Sequence, residues 1–469
     1  MKTNICLCFG FLVLASTAFA APPFYPVATT NTLVPGGFAN FTRFWTAGIN
    51  NSTVAFVADG LGPRTVFVQE PGQQLTNPVV ETVIEFGLYN GNLGNLLYTV
   101  HNPNNEDNDV IFDQTGIGTT VAIVARTNAV PFGSGTFDLK VGPAAEDAGV
   151  VAFAGLGSND AGVYLANLAG NRVTVIATRN TGLPSANSGC GTNLYEPTHI
   201  AYAGGVLAFV ARLGGPLCNN IIGLYSTTGS GFTNVADINT LAPPFSTRIT
   251  SLGPIQIAGN QVVFKARTGG TPAPGGIYIK PLDGSGSPVA LITSEAFFPG
   301  TTNKLGSEFG NFTYENGVLA FEITGGSYTN TGIYVLTNGV ITRVIGNGDL
   351  LDGKTVSALL LGQQSLSRGI LVFTVYFTDD STAVYTASGA PFLGAGGLLQ
   401  PGSMVYSAAT GFSFTFEGQP YRHYRIQYTP TLSPPNWIDL TNFFYLPPVT
   451  IADPGAVNGQ SRWYQAVSP

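Results

Sequence analysis

A short apolar strand ending in an aromatic recurs seven times along this chain, and a fixed period decides an architecture before any local feature does. The aromatics are Phe56, Tyr98, Phe153, Phe209, Phe264, Phe321 and Phe373, separated by 42, 55, 56, 55, 57 and 52 residues. Each copy carries a further strand, in four cases Gly-aliphatic-Tyr: Gly162-Val163-Tyr164, Gly223-Leu224-Tyr225, Gly276-Ile277-Tyr278 and Gly332-Ile333-Tyr334. Thr65-Val66-Phe67, Val110-Ile111-Phe112 and Ala383-Val384-Tyr385 are weaker forms of the same element.

The copy around Phe264 shows the unit. Pro254–Ala258 reads as a strand, Gly259-Asn260 as a tight turn, and Gln261–Ala266, Gly276–Ile279 and Val289–Ile292 as three more strands. Four short strands in ~40–55 residues fit a propeller blade, and the central strands are apolar on successive residues because both faces are covered. The expectation is an all-β chain: a seven-bladed β-propeller over residues 21–400, then a small C-terminal β-sandwich over 403–469. The last copy has no clear fourth strand after Tyr385. The mature N-terminus supplies one, since Pro26-Val27-Ala28 followed by Pro35-Gly36 repeats Pro288-Val289-Ala290 followed by Pro299-Gly300. Closing the final blade with the N-terminal strand removes free edges from the seam. The repeated aromatics are assigned to the core rather than to carbohydrate stacking.

Residues 1–20 read as a secretory signal, with Lys2, an apolar stretch over Ile5–Ala15 and the small-x-small site Ala18-Phe19-Ala20. The mature protein is therefore expected outside the cytoplasm, secreted or periplasmic, without a membrane span. Cys6 and Cys8 leave with the signal, and Cys190 and Cys218 remain as a disulfide candidate in an oxidising compartment. A net charge of −7 and singly scattered Lys and Arg argue against nucleic acid and against anionic membranes.

Gly149-Val150-Val151-Ala152-Phe153, Gly205-Val206-Leu207-Ala208-Phe209 and Gly317-Val318-Leu319-Ala320-Phe321 resemble the NxxGxxAF tandem repeats of secreted bacterial proteins, over most of residues 38–390. The Asn position of that pattern holds Glu146, Tyr202 and Tyr314 here. The resemblance implies fold and export but no activity. Residues Gly418, Pro420, Tyr424, Ile426, Gln427, Trp437, Asp453, Pro454, Arg462 and Tyr464 are similar to a C-terminal module common on exported bacterial proteins. Such a module implies display or attachment. Trp437 and Trp463 read as buried sandwich aromatics, with a sugar platform as the alternative.

Chemistry-bearing motifs are sparse. The mature chain has no H-E-x-x-H, G-x-S-x-G, Walker loop or C-x-x-C, and its histidines, His101, His199 and His423, are isolated and read as structural. The acidic loop Asn102–Asp109 offers Asn105, Glu106, Asp107 and Asp109 as oxygen ligands for calcium, against a solvated hairpin loop. Asp349, Asp352, Asp379 and Asp380 are candidate paired carboxylates for glycoside cleavage, which needs a separation of ~5–9 Å. No catalytic residue is assigned. The inventory favours a monomeric binding or structural protein for an extracellular glycan or cell-surface component, with no cofactor unless calcium. A polysaccharide hydrolase or lyase and a calcium-stabilised adhesin are the alternatives.

Overall fold

The computed structural model describes residues 23–50, 53–60, 64–69, 74–76, 95–100, 110–115, 119–125, 129, 131, 136–137, 140–157, 160–167, 172–184, 192–214, 222–270, 273–306, 308–325, 330–389, 405–407, 411–416, 423–431, 436–444, 449–456 and 462–467. Strands and turns account for the regular structure, with no α-helix among the described residues. No helix there is long and apolar enough to cross a membrane.

Antiparallel sheets follow one another along the chain, and four of them have four strands, as in the blades of a β-propeller. Sheet 1 holds Arg43–Asn50, Thr53–Asp59 and Thr65–Gln69; sheet 2 holds Asn95–Val100, Val110–Thr115 and Thr119–Ala125. Sheet 3 is Lys140–Asp147, Val150–Leu156, Ala161–Asn167 and Arg172–Thr178. Sheet 4 is Leu194–Ala203, Val206–Leu213, Ile222–Thr227 and Thr233–Asp237. Sheet 5 is Ile249–Ala258, Gln261–Thr268, Gly275–Pro281 and Val289–Thr293; sheet 6 is Phe309–Glu315, Val318–Ile323, Gly332–Thr337 and Val340–Gly346. Sheet 7 combines Lys354–Leu360, Ile370–Phe377 and Thr382–Ser388 with the N-terminal strand Phe24–Thr29. That last pairing is the one expected from the sequence, with Pro26 opposite Tyr385 and Ala28 opposite Val384.

The repeated aromatics share one register. Phe56 lies opposite Phe67, Tyr98 opposite Phe112, Phe153 opposite Tyr164 and Phe209 opposite Tyr225. Phe264 lies opposite Tyr278, Phe321 opposite Tyr334 and Phe373 opposite Tyr385. The rings of Phe153–Tyr164 and Phe321–Tyr334 stack at 5.3 and 5.9 Å, and both pairs are buried. The pairs of sheets 4, 5, 6 and 7 pack on the preceding sheet. Phe264 and Tyr278 meet Ala208, Val210 and Leu224 of sheet 4, and Phe321 and Tyr334 meet Val263 and Ile277 of sheet 5. Sheet 7 closes on sheet 1 in the same way, Val372 and Val384 packing on Phe44 and Phe56. One fully buried aromatic contributes on the order of 1.5–3 kcal/mol, and the alternation of large and small faces makes the sheets interlock.

The Gly-aliphatic-Tyr motif has a steric cause. Residues i and i+2 of a strand share a face, and the Tyr ring folds back over the glycine. A Cβ on Gly162 would sit 2.5 Å from Tyr164 Oη, and one on Gly223 would collide with Tyr225 Oη. In sheets 1 and 3 to 7 the first strand is longer than the sequence pattern suggests and carries at least one bulge. In sheet 5 the register slips between Leu252 and Ile255, in sheet 6 between Phe309 and Phe312, and in sheet 1 between Phe44 and Ala47. The bulge hid the N-terminal half of each strand from a period-two reading.

Beyond residue 400 two three-stranded sheets form. Gly411–Phe416 is central in one and His423–Thr429 in the other. Phe414, Phe416 and Ile451 of the first share a cluster with Ile426, Leu440 and Tyr464 of the second. Asp453 is 1% exposed and takes two bonds from Arg462 Nη1, at 2.7 and 2.9 Å, and one from Tyr464 Oη at 2.9 Å. This ties together the Asp, Arg and Tyr of the sequence motif.

Candidate functional site

The first strands of sheets 3, 4, 5 and 6 touch in succession, and Leu366–Ser367 of sheet 7 touches those of sheets 6 and 1, so their ends surround a common axis. At the turns joining first and second strands, a cavity of about 530 Å³ opens between sheets 1, 5, 6 and 7. Asn50, Gln256, Gln364, Glu315, Asn316 and Arg368 line it. A smaller void of about 40 Å³, bounded by Tyr202, Gln256 and Gln363, extends it toward sheets 3 and 4. Two turns at the mouth have both central residues left-handed, Asn316-Gly317 and Arg368-Gly369, and the second places an Arg where Asn or Gly is favoured.

Polar groups around this axis are held by the main chain of the next sheet. Gln256 donates from Nε2 to the Tyr314 carbonyl at 2.9 Å and accepts from the Tyr314 N–H at 2.8 Å. Asp147 accepts from Gly204 N at 2.6 Å, and Glu315 accepts from Arg368 N at 2.6 Å. Burial raises the Glu315 carboxyl above its ordinary value, while the N–H groups of Arg368 and Gly369 act against the rise.

Higher in the wall, the bulges leave main-chain groups that the ladder does not pair. Lys265 Nζ donates to the carbonyls of Phe309 and Gly310 at 3.0 and 3.1 Å. Glu322, 6% exposed, accepts from the N–H groups of Asn311 and Leu361, and burial raises its carboxyl to about 7 against those bonds and the nearby Lys265. Asn311 Nδ2 donates to the Leu361 carbonyl at 2.8 Å. His199, in the bulged strand of sheet 4, is lowered to about 4 by burial and by Lys265. Sequence reasoning missed Lys265 and Glu322 and read His199 as isolated. The signal was present: each charged residue follows a repeated Phe where other copies have Val57, Ala154 and Val210.

The acids singled out from the sequence are engaged locally. Asp349 holds Arg343 at 2.8 Å, and Asp352 accepts from Tyr385 Oη at 2.6 Å. Asp379 accepts from Ser381 and pairs with Lys354 at 2.9 Å, contacts that lower it to about 2. Asp380 sits at φ 62° in the same turn. Asn105, Glu106, Asp107, Asp109, His101, Cys190 and Cys218 lie outside the described residues, as do residues 1–20, and the His423 side chain is not described. Among the described residues no three His, Cys, Asp or Glu gather as metal ligands. Trp463 corrects the sequence reading: it is 38% exposed, because its strand turns Tyr464 rather than Trp463 into the shared cluster. Trp437 is half-buried.

No family model and no curated protein matches the chain. Solved structures do. The β-propeller domain of the Trilobed protease from Pyrococcus furiosus is 9% identical at a TM-score of 0.47, covering 75% of this chain and 97% of that one. A puromycin-hydrolyzing peptidase from Mycobacterium tuberculosis is 12% identical at 0.46, covering 80% of this chain and 57% of that one. TolB from Acinetobacter baumannii is 14% identical at 0.36, covering 64% of each chain.

Proposed function

We propose that this chain is an exported binding protein, a seven-bladed β-propeller over residues 21–400 that receives an extracellular glycan at the axial cavity. In this reading residues 1–20 direct export, Cys190 and Cys218 join two loops, and residues 403–469 form a sandwich that displays or attaches the propeller. The observation that carries it is the commitment of the axial carboxylates. Glu315, Glu322 and Asp147 each accept main-chain N–H groups across or beside a seam. Those acids rigidify the wall, and the amides of Gln364 and Asn316 and the Arg368 guanidinium remain at the mouth. A polar, preorganised pocket of this kind suits hydroxyl-rich ligands.

The test is a panel of neutral and acidic polysaccharides titrated against the mature protein, with new reducing ends assayed in parallel. Saturable binding that weakens at least tenfold in Arg368→Ala, without new chain ends, is expected. Absence of any saccharide binding, or polymer cleavage abolished by Glu315→Gln, overturns the reading.

A further inference from the structure

At the other end of the first strand of sheet 1 stands a second constellation. Asn50 borders the cavity, and Arg43 lies seven residues earlier, about 20 Å away at the rise of a β-strand. Trp45 occupies the bulge of this strand, at the position held in sheets 3, 5 and 6 by Gly142, Gly253 and Gly310. The repeat therefore does not require an indole there. Arg43 Cζ lies over the Trp45 ring at 4.0 Å from its centroid and Arg64 Cζ at 3.6 Å. Two planar cations at those distances cannot share one face, so the indole is sandwiched. Trp45 Nε1 donates to Asp59 Oδ2 at 3.0 Å, and Arg64 Nε approaches Asp59 Oδ1 at 3.4 Å. The Tyr376 hydroxyl, within hydrogen-bond reach of Arg43, reaches the Trp45 carbonyl at 3.4 Å.

Asp59 thus sets the indole and Arg64, while Arg43 is exposed and meets no carboxylate among the described residues. Stacking fixes the guanidinium plane and removes much of the side-chain entropy that anion capture would otherwise cost. A fixed, exposed guanidinium edge matches the two oxygens of a carboxylate. The neighbouring Asp59 carboxylate and Tyr376 hydroxyl favour a ligand that also offers hydroxyl groups over a run of carboxylates alone. We infer that Arg43, stacked on Trp45 beside Arg64, forms a second binding site for the carboxylate of an acidic saccharide, a uronate unit. The ligand class rests on the glycan reading above; the location does not.

The mature protein is titrated calorimetrically with an alginate oligomer, the same oligomer with its carboxyls reduced to alcohols, and hexaglutamate. The alginate oligomer is expected to bind at least tenfold more tightly than its reduced form and to weaken with salt. Arg43→Ala should erase that advantage, and Arg43→Lys most of it, because an ammonium cannot present two parallel donors. Both variants should still unfold in one cooperative transition within a few degrees of the wild-type melting temperature, since Arg43 is exposed and loses only its contacts with Trp45 and Tyr376. Equal binding of the reduced oligomer, wild-type affinity in Arg43→Ala, or equally tight hexaglutamate binding overturns the inference. If neutral saccharide binding survives and still depends on Arg368 while the alginate advantage is absent, only this inference falls. If no saccharide binds, the glycan reading falls with it.

Discussion

The seam between sheets 3 and 4 and the seams joining sheets 5, 6 and 7 are built from the same repeat but sealed by different chemistry. In the first, Ala152 and Ala154 meet Phe209 and Tyr225 in an apolar cluster. In the others the residue after the repeated Phe is charged, and Lys265 and Glu322 reach into the bulge of the following sheet or of their own. The difference separates two duties of one motif. The aromatic pairing register holds in every described copy, and in sheets 4 to 7 it makes the sheets interlock. The residue beside it only has to satisfy whatever the neighbouring bulge leaves open, so it can vary.

The comparison breaks first if the shared register matters less than stated. Phe209→Ala and Phe264→Ala should each cost about 3–5 kcal/mol by denaturant unfolding, whichever seam they face. A loss confined to one seam would contradict a common role. The second test concerns pH. Glu322 is raised in the fold, so its stabilising share is complete below its ordinary value near 4.5 and is lost as pH rises through about 7. His199 is lowered, so its share is complete above 6.5 and is lost as pH falls through about 4. Between those limits the two slopes oppose each other. His199→Gln should unmask stability that rises toward acid, and Glu322→Gln stability that falls toward acid, each by up to about 3 kcal/mol. Parallel profiles for the two variants would refute the assignment.

A smaller effect is expected from Lys265→Met, which leaves the carbonyls of Phe309 and Gly310 without their donor, at about 1–3 kcal/mol. Ala154→Met at the equivalent position should instead act through overpacking, without the main-chain signature in amide exchange of sheet 6. The smallest effect sharpens the register itself. Tyr225 Oη is buried with no partner among the described residues, whereas Tyr385 Oη donates to Asp352 at 2.6 Å. Tyr225→Phe should be neutral or slightly stabilising, and Tyr385→Phe should cost about 1 kcal/mol. Equal losses at both positions would show that the hydroxyls are not used differently.

Much of the strand order was legible because it is written in local period. Phe264 and Tyr278 announce their strands, and Pro26-Val27-Ala28 announces the strand that joins Thr382–Ser388. The bulges were not legible, since an inserted residue such as Gly253 or Gly310 looks like a turn signal until its strand is seen to continue. The axial groups were harder still. Gln256 binds Tyr314 from 58 residues away, and nothing in the spacing of those two residues shows it. The exposure of Trp463 followed the same rule, because one register step decides which of two adjacent aromatics turns inward.

By itself the sequence determined the repeating unit: its aromatics, its obligatory glycines and the order of its strands. These depend on neighbours within a few residues or on direct ladder partners, and side-chain volume and backbone freedom suffice to specify them. Only the tertiary structure decided which polar groups meet around the axis and which cation on Trp45 meets no carboxylate among the described residues. Those meetings join residues from different sheets, and their geometry depends on how the sheets pack rather than on any one segment.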